Sequence, residues 1–80
     1  MIGKGLLTEG DCRALSAALQ RRQQIVLTRS AGGVRLTART APSGGPPWPV
    51  PMVVQVHVVG PMYSWRQNFG SILSLREAME

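Results

Sequence analysis

The fold is decided by residues 24–39, which read QIVLTRSAGGVRLTAR. Two runs of β-prone residues alternate in polarity on either side of a segment of small residues, and this pattern predicts a β-hairpin. The alternation gives the hairpin one apolar face that is suited to a core, consisting of Ile25, Leu27, Val34, Leu36 and Ala38.

The opposite face of this hairpin is mainly polar. It carries Val26 and Thr28 from the first strand, and Arg35, Thr37 and Arg39 from the second. Alternate side chains of a strand project in the same direction, so the two Arg side chains form a pair on one surface. We predict that this surface binds a partner; the alternative is that the arginines only keep an exposed strand soluble.

A helix is predicted immediately before the hairpin. Thr8 is placed as its N-cap, and Asp11 three residues later completes an acidic capping box. The helix is expected to end near Arg22 or Gln23. Its apolar residues recur at helical spacing and form one buried stripe: Cys12, Leu15, Ala18 and Leu19.

A Pro- and Gly-rich loop is predicted at residues 41–51, which include five of the six prolines. Its second half favours an extended, polyproline-like conformation and contains Trp48. Trp48 is either a lid on the protein's own core or a contact for another domain. We therefore include it among the candidate partner-binding residues.

A third strand is predicted at residues 52–59, where valines occupy both faces. Such a strand lies either in the centre of a sheet or at an edge that a second copy of the chain completes. The small size of the protein also favours association, because a domain of this length buries only about 60% of the surface that its unfolded chain exposes. We expect a homodimer.

The C-terminal region begins with an aromatic and basic cluster that contains Tyr63 and Arg66, together with Trp65 and Phe69. Rings and guanidinium groups are the components of single-stranded nucleic-acid recognition. For Trp65 and Phe69 the core is the favoured role, because the domain has few large apolar residues. Residues 71–79 are predicted to form a short helix capped by Ser71, with a strand as the alternative.

The charge distribution points to an anionic partner. The 80 residues include nine Lys and Arg against four Asp and Glu, and the net charge is +5. All four acids lie near the ends of the chain, so residues 12–75 contain seven Arg and no acid. Arg suits both phosphate and carboxylate groups, although an Arg-rich composition is also typical of GC-rich genomes.

The sequence offers no set of residues for catalysis or for metal binding. The acids occupy capping or terminal positions, and Cys12 and His57 are single residues of their kind. One Cys and one His do not build a tetrahedral zinc site, and no cofactor-binding motif is present. We expect a protein that is not an enzyme and has no catalytic residues, no metal and no cofactor.

The same composition indicates the compartment. A single cysteine forms no disulfide within the chain, which favours a reducing environment. The longest apolar stretch, residues 52–59, has eight residues, is interrupted by Gln55 and His57, and is too short to cross a membrane. The N-terminus has no apolar run of signal-peptide length. We therefore expect a cytoplasmic protein without a membrane partner.

Together these features predict a single α+β domain over residues 1–80, with an N-terminal helix, a β-hairpin, the Pro-rich loop, a third antiparallel strand and a short C-terminal helix. The predicted function is non-enzymatic binding of a protein or nucleoprotein with an anionic surface, as an inhibitor or regulator of the kind that phages and mobile elements encode. The alternative is a basic RNA- or DNA-binding protein. The candidate partner-binding residues are Arg35, Arg39, Thr37, Thr28, Trp48, Tyr63 and Arg66.

Overall fold

The computed structural model of this chain describes residues 6–42 and 51–79 and confirms the predicted α+β class. Four strands form one antiparallel sheet in which each strand pairs with its neighbours along the chain. The elements are α1 (Glu9–Arg21), β1 (Val26–Ala31), β2 (Val34–Pro42), β3 (Met52–Val59), β4 (Ser64–Phe69) and α2 (Ile72–Met79).

Helix α1 begins at the predicted capping box. The Thr8 Oγ1 accepts a hydrogen bond from the Asp11 backbone N–H at 3.1 Å, and the Asp11 Oδ2 accepts one from the Thr8 N–H at 3.1 Å. The helix ends at Arg21, because Arg22 adopts a left-handed conformation with φ of 54° that no longer continues it. The apolar stripe faces the sheet.

The hairpin between β1 and β2 has the predicted arrangement of faces. Its turn consists of Gly32 and Gly33 with φ of 60° and 80°, and two positive φ values are what a type I′ turn requires. Leu27 lies opposite Ala38 in the resulting register. The apolar residues of both strands therefore point towards the helices.

The fourth strand corrects the sequence analysis, which predicted three strands and none between Tyr63 and Phe69. Ser64–Phe69 pairs along the free side of β3, so β3 is a central strand. The segment was missed because four of its six residues are polar, and only Trp65 and Phe69 contact the core. The central position, one of the two alternatives predicted for β3, is therefore the one observed, and the second apolar face of this strand lies on the side of the sheet that neither helix covers.

The predicted start of the Pro-rich loop at residue 41 is wrong. Ala41 and Pro42 belong to β2 and pair with Val53 and Met52. A proline is tolerated at the end of a strand, where its missing N–H removes no essential ladder bond. Residues 43–50, including Trp48, lie outside the described part of the chain.

Both helices pack on the same side of the sheet. Leu15 of α1 and Leu75 of α2 are fully buried against Leu36, Val54 and Phe69. The Ser71 Oγ accepts a hydrogen bond from the Ser74 N–H at 3.2 Å, so the predicted cap is present, and the predicted C-terminal helix is confirmed at Ile72–Met79. None of the helices in the described ranges has the length and apolar character needed to cross a membrane.

An ion pair fixes α1 to the sheet. The Arg29 Nη2 of β1 donates a hydrogen bond to the Asp11 Oδ1 at 2.8 Å. This bond, followed by the hydrogen bond from the Thr8 backbone, lowers the pKa of the Asp11 carboxyl below its ordinary value. A carboxyl whose pKa is lowered by folding stabilises the protein above its unfolded pKa, and that contribution is lost as the pH falls through the folded pKa.

We therefore expect the free energy of unfolding of Asp11→Asn to depend less on pH in the acid range than that of the parent protein. In the parent, the contribution of Asp11 is fully present above about pH 4, near the ordinary Asp pKa, and declines as the pH falls further. In Asp11→Asn it is absent at every pH, so the free energy of unfolding varies less with pH in this range. Urea titrations between neutral and acidic pH measure the difference, and parallel acid limbs for the two proteins contradict it.

Candidate functional site

One side of the sheet is not covered by either helix, and we call it the open face. No side chain on this face is buried. Its residues alternate with the core residues along each strand: Val26, Thr28 and Ser30 in β1; Arg35, Thr37, Arg39 and Ala41 in β2; Val53, Gln55, His57 and Val59 in β3; and Ser64, Arg66 and Asn68 in β4.

The strand register aligns polar side chains in rows across the open face. The central row runs from Thr28 through Thr37 and His57 to Arg66. The next row runs from Val26 through Arg39 and Gln55 to Asn68. Neighbouring side chains in such rows are about 5 Å apart at Cβ. Three of the predicted partner-binding residues, Thr28, Thr37 and Arg66, therefore lie in one row.

A depression of about 450 Å³ lies where these two rows meet. Its walls come from β2, β3 and β4, so it exists only because β4 completes the sheet. The polar side chains that line it are Thr37, Arg39, Gln55, His57, Arg66 and Asn68.

Arg39 is held in place within this depression. Its Nε donates a hydrogen bond to the Gln55 Oε1 at 2.7 Å. This bond leaves both Nη groups of Arg39 able to donate to a ligand. Arg66 forms no hydrogen bond to another side chain or backbone group in the described part of the chain.

Among the described residues, no acid is paired with the positive charges of the open face. Two acids of α1 are engaged elsewhere, since Asp11 pairs with Arg29 and Glu9 pairs with Arg76. Over residues 6–42 and 51–79, the arginines of the open face form no ion pair. These are Arg35, Arg39 and Arg66. The open face therefore presents a positive potential to solvent.

Arg35 lies apart from the depression. It lines a second, shallower groove beside Val59, Gly60 and Pro61, where the hairpin turn and the β3–β4 connection meet. Arg35 and Arg39 are four positions apart along β2, or about 13 Å. The predicted pair thus shares the open face, but Arg39 shares its depression with Arg66.

The aromatic cluster is divided by the sheet. Trp65 and Phe69 face the helices, with ring centroids 6.4 Å apart, and Phe69 is buried. Tyr63 lies in the β3–β4 connection with half of its surface exposed, and its ring packs on Gly60, where a Cβ atom would lie 2.5 Å from the Tyr63 Cε1. The described strands place no Phe, Tyr or Trp ring on the open face, where the aromatic ring is the imidazole of His57.

The geometry also separates Cys12 from His57. Cys12 is buried on α1, beneath the core side of the sheet, whereas His57 lies on the open face. The sheet stands between the two side chains, so they do not form a nucleophile and base pair. Within the described residues, no three His, Cys, Asp or Glu side chains are grouped closely enough to hold a metal ion.

Sequence analysis did not include Gln55, His57 or Asn68 among the candidate binding residues. The alternation of β3 placed Gln55 and His57 opposite the core valines, which was a usable signal. Asn68 was missed because β4 was not predicted.

Comparisons of the chain with protein-family models, with curated proteins and with solved structures gave no match.

Proposed function

We propose that this protein is a small non-enzymatic binding protein, an inhibitor or regulator that docks its open face on an acidic surface of a partner protein. The observation that carries this proposal is the group of three arginines on the sheet face that neither helix covers, where no carboxylate of residues 6–42 and 51–79 is paired to them. Such a face is attracted to a negative surface and repelled by a positive one, which supports both association and selectivity.

The composition of the open face favours a protein over a nucleic acid as partner. Valines, threonines and amides surround the arginines, and a mixture of apolar and polar groups is typical of protein interfaces. Rings on which bases stack are the usual partners of arginine in single-strand binding, and Trp65 and Phe69 face the core instead. Nucleic-acid binding is the alternative outcome of the test below.

The proposal also includes a cytoplasmic location and assembly as a homodimer. A buried, free Cys12 is compatible with a reducing cytoplasm. The expected homodimer stays a prediction, and its sequence argument is weaker now that β3 is paired on both sides within the chain.

We expect Arg35→Ala with Arg39→Ala to weaken partner binding at least tenfold, since truncating interfacial Arg anchors costs on the order of 2 kcal/mol. The matched control is Arg13→Ala with Arg21→Ala, which removes the same charge from exposed positions of α1. Each tagged protein is used to purify partners from the native host, followed by mass spectrometry, a nucleic-acid absorbance check and affinity measurement over a range of salt concentrations.

A protein partner that binds the parent and the α1 control, but not the open-face variant, supports the proposal. Recovery of nucleic acid, with affinity that falls steeply as salt rises, supports the alternative function instead. Equal binding by the open-face variant and the parent shows that the open face is not the interface.

A further inference from the structure

The depression on the open face is lined by hydrogen-bond donors. Arg39 offers its two Nη groups, and Arg66 offers its whole guanidinium. The Gln55 oxygen already accepts from Arg39, so the free group of this amide is its NH₂. Thr37 and Asn68 add a hydroxyl and a second amide. A site with this excess of donors is suited to a ligand with several acceptor oxygens.

The number of guanidinium groups discriminates between anions. A carboxylate has two oxygens and one negative charge, so one bidentate arginine satisfies it. A phosphate monoester has three free oxygens and a charge of about −1.5 to −2 at neutral pH. Two arginines in one depression, Arg39 and Arg66, match the phosphate monoester better on both counts.

The site is also built on the stable part of the fold. Arg39 and Gln55 belong to β2 and β3, the two central strands, and their side chains hold each other through the 2.7 Å hydrogen bond. A guanidinium fixed before binding loses less side-chain entropy when a ligand arrives. The volume of about 450 Å³ also accommodates a phosphorylated side chain.

From these observations we propose that the depression between Arg39 and Arg66 binds a phosphate monoester, namely the phosphorylated Ser, Thr or Tyr side chain of the partner protein. This inference rests on the proposed function, because it names the group of the partner that enters the open face. Recognition of phosphorylated segments by arginine clusters is an established physical mode of peptide binding.

The test is an NMR titration of the ¹⁵N-labelled full chain with three short Gly/Ser-rich peptides. They are identical except for one central residue, which is phosphoserine, glutamate or serine. We expect the phosphopeptide to shift the amide signals of Thr37, Arg39, Gln55, Arg66 and Asn68 in a saturable manner. It should bind at least tenfold more tightly than the glutamate peptide.

Variants locate the binding on the open face. Arg66→Ala should weaken phosphopeptide binding at least tenfold, whereas Arg13→Ala, which removes the same charge from an exposed position of α1, should change it less than threefold. Equal losses in the two variants overturn the proposal, because they indicate attraction to overall charge. So does equal affinity for the phosphoserine and glutamate peptides.

A 5′-phosphorylated oligonucleotide completes the set of probes. Tighter binding of this probe than of the phosphopeptide overturns the assignment to a protein side chain. The two proposals fail separately: a partner protein that binds through the open face equally well after phosphatase treatment contradicts the phosphate site but leaves the proposed function intact.

Discussion

Replacing Leu36 with Ala lowers the free energy of unfolding by about 2–5 kcal/mol, the range for truncating a fully buried Leu. Leu36 is completely buried in the middle of β2 and packs in the cluster that includes Leu15 and Leu75 of the two helices. Because Leu36 belongs to the core cluster between the sheet and the helices, truncating its side chain leaves a cavity inside this core. Small domains have a total stability of roughly 5–15 kcal/mol, so this loss is a large share of it.

The matched control for Leu36→Ala is Thr37→Ala. Thr37 is the next residue in the same strand, but its side chain lies on the open face. We expect this substitution to change the free energy of unfolding by less than about 1 kcal/mol. Urea titrations of both variants measure the contrast. Similar losses in the two would show that the strand register is wrong, because a one-residue slip exchanges the faces.

The alternation between core-facing residues such as Leu36 and open-face residues such as Thr37 also explains why the hairpin could be predicted from the sequence alone. Its apolar residues alternate without exception, and the Gly32–Gly33 pair permits the positive φ values of the turn. Local pattern and tertiary packing therefore demand the same structure. The capping box at Thr8 is similar, since both hydrogen bonds lie within four residues of chain.

Strand β4 could not be predicted because its stability comes from elsewhere in the chain. Ser64, Arg66, Gln67 and Asn68 have little preference for a strand, and the segment is extended because the edge of β3 offers it backbone partners. Pairing between strands depends on context that a single segment does not contain. Any site that needs β4 was hidden for the same reason.

The candidate binding site could therefore be predicted only in part. Arg35, Arg39 and Thr37 were placed correctly on one face, because they share a strand. The grouping of Arg39 with Arg66 was not predicted, since it depends on two strand pairings across β3. Sequence alternation thus gave the direction of each side chain, whereas the sheet order determined its neighbours.

Thr40→Val is expected to destabilise the protein although it keeps the shape of the side chain. Thr40 is the buried polar residue of β2, and its Oγ1 donates a hydrogen bond to the Gln23 C=O at 2.6 Å and accepts one from the Ile25 N–H at 2.9 Å. Valine removes both bonds and leaves two backbone groups without partners. At about 1–3 kcal/mol for each such group, we expect a total loss of about 2–6 kcal/mol, measured by urea titration.

The variant Thr40→Ser distinguishes the contribution of the hydroxyl to stability from that of the methyl group. Serine retains the oxygen that joins the α1–β1 connection to β2, and it loses only one buried methyl, worth about 1 kcal/mol. The serine variant should therefore be the more stable of the two. This order of stability is expected because Gln23 and Ile25 lie in the connection that follows α1. In the described chain, the Gln23 C=O and the Ile25 N–H have no hydrogen-bond partner other than the Thr40 hydroxyl. A valine variant as stable as the serine variant would show that water satisfies both groups and that the methyl contact dominates.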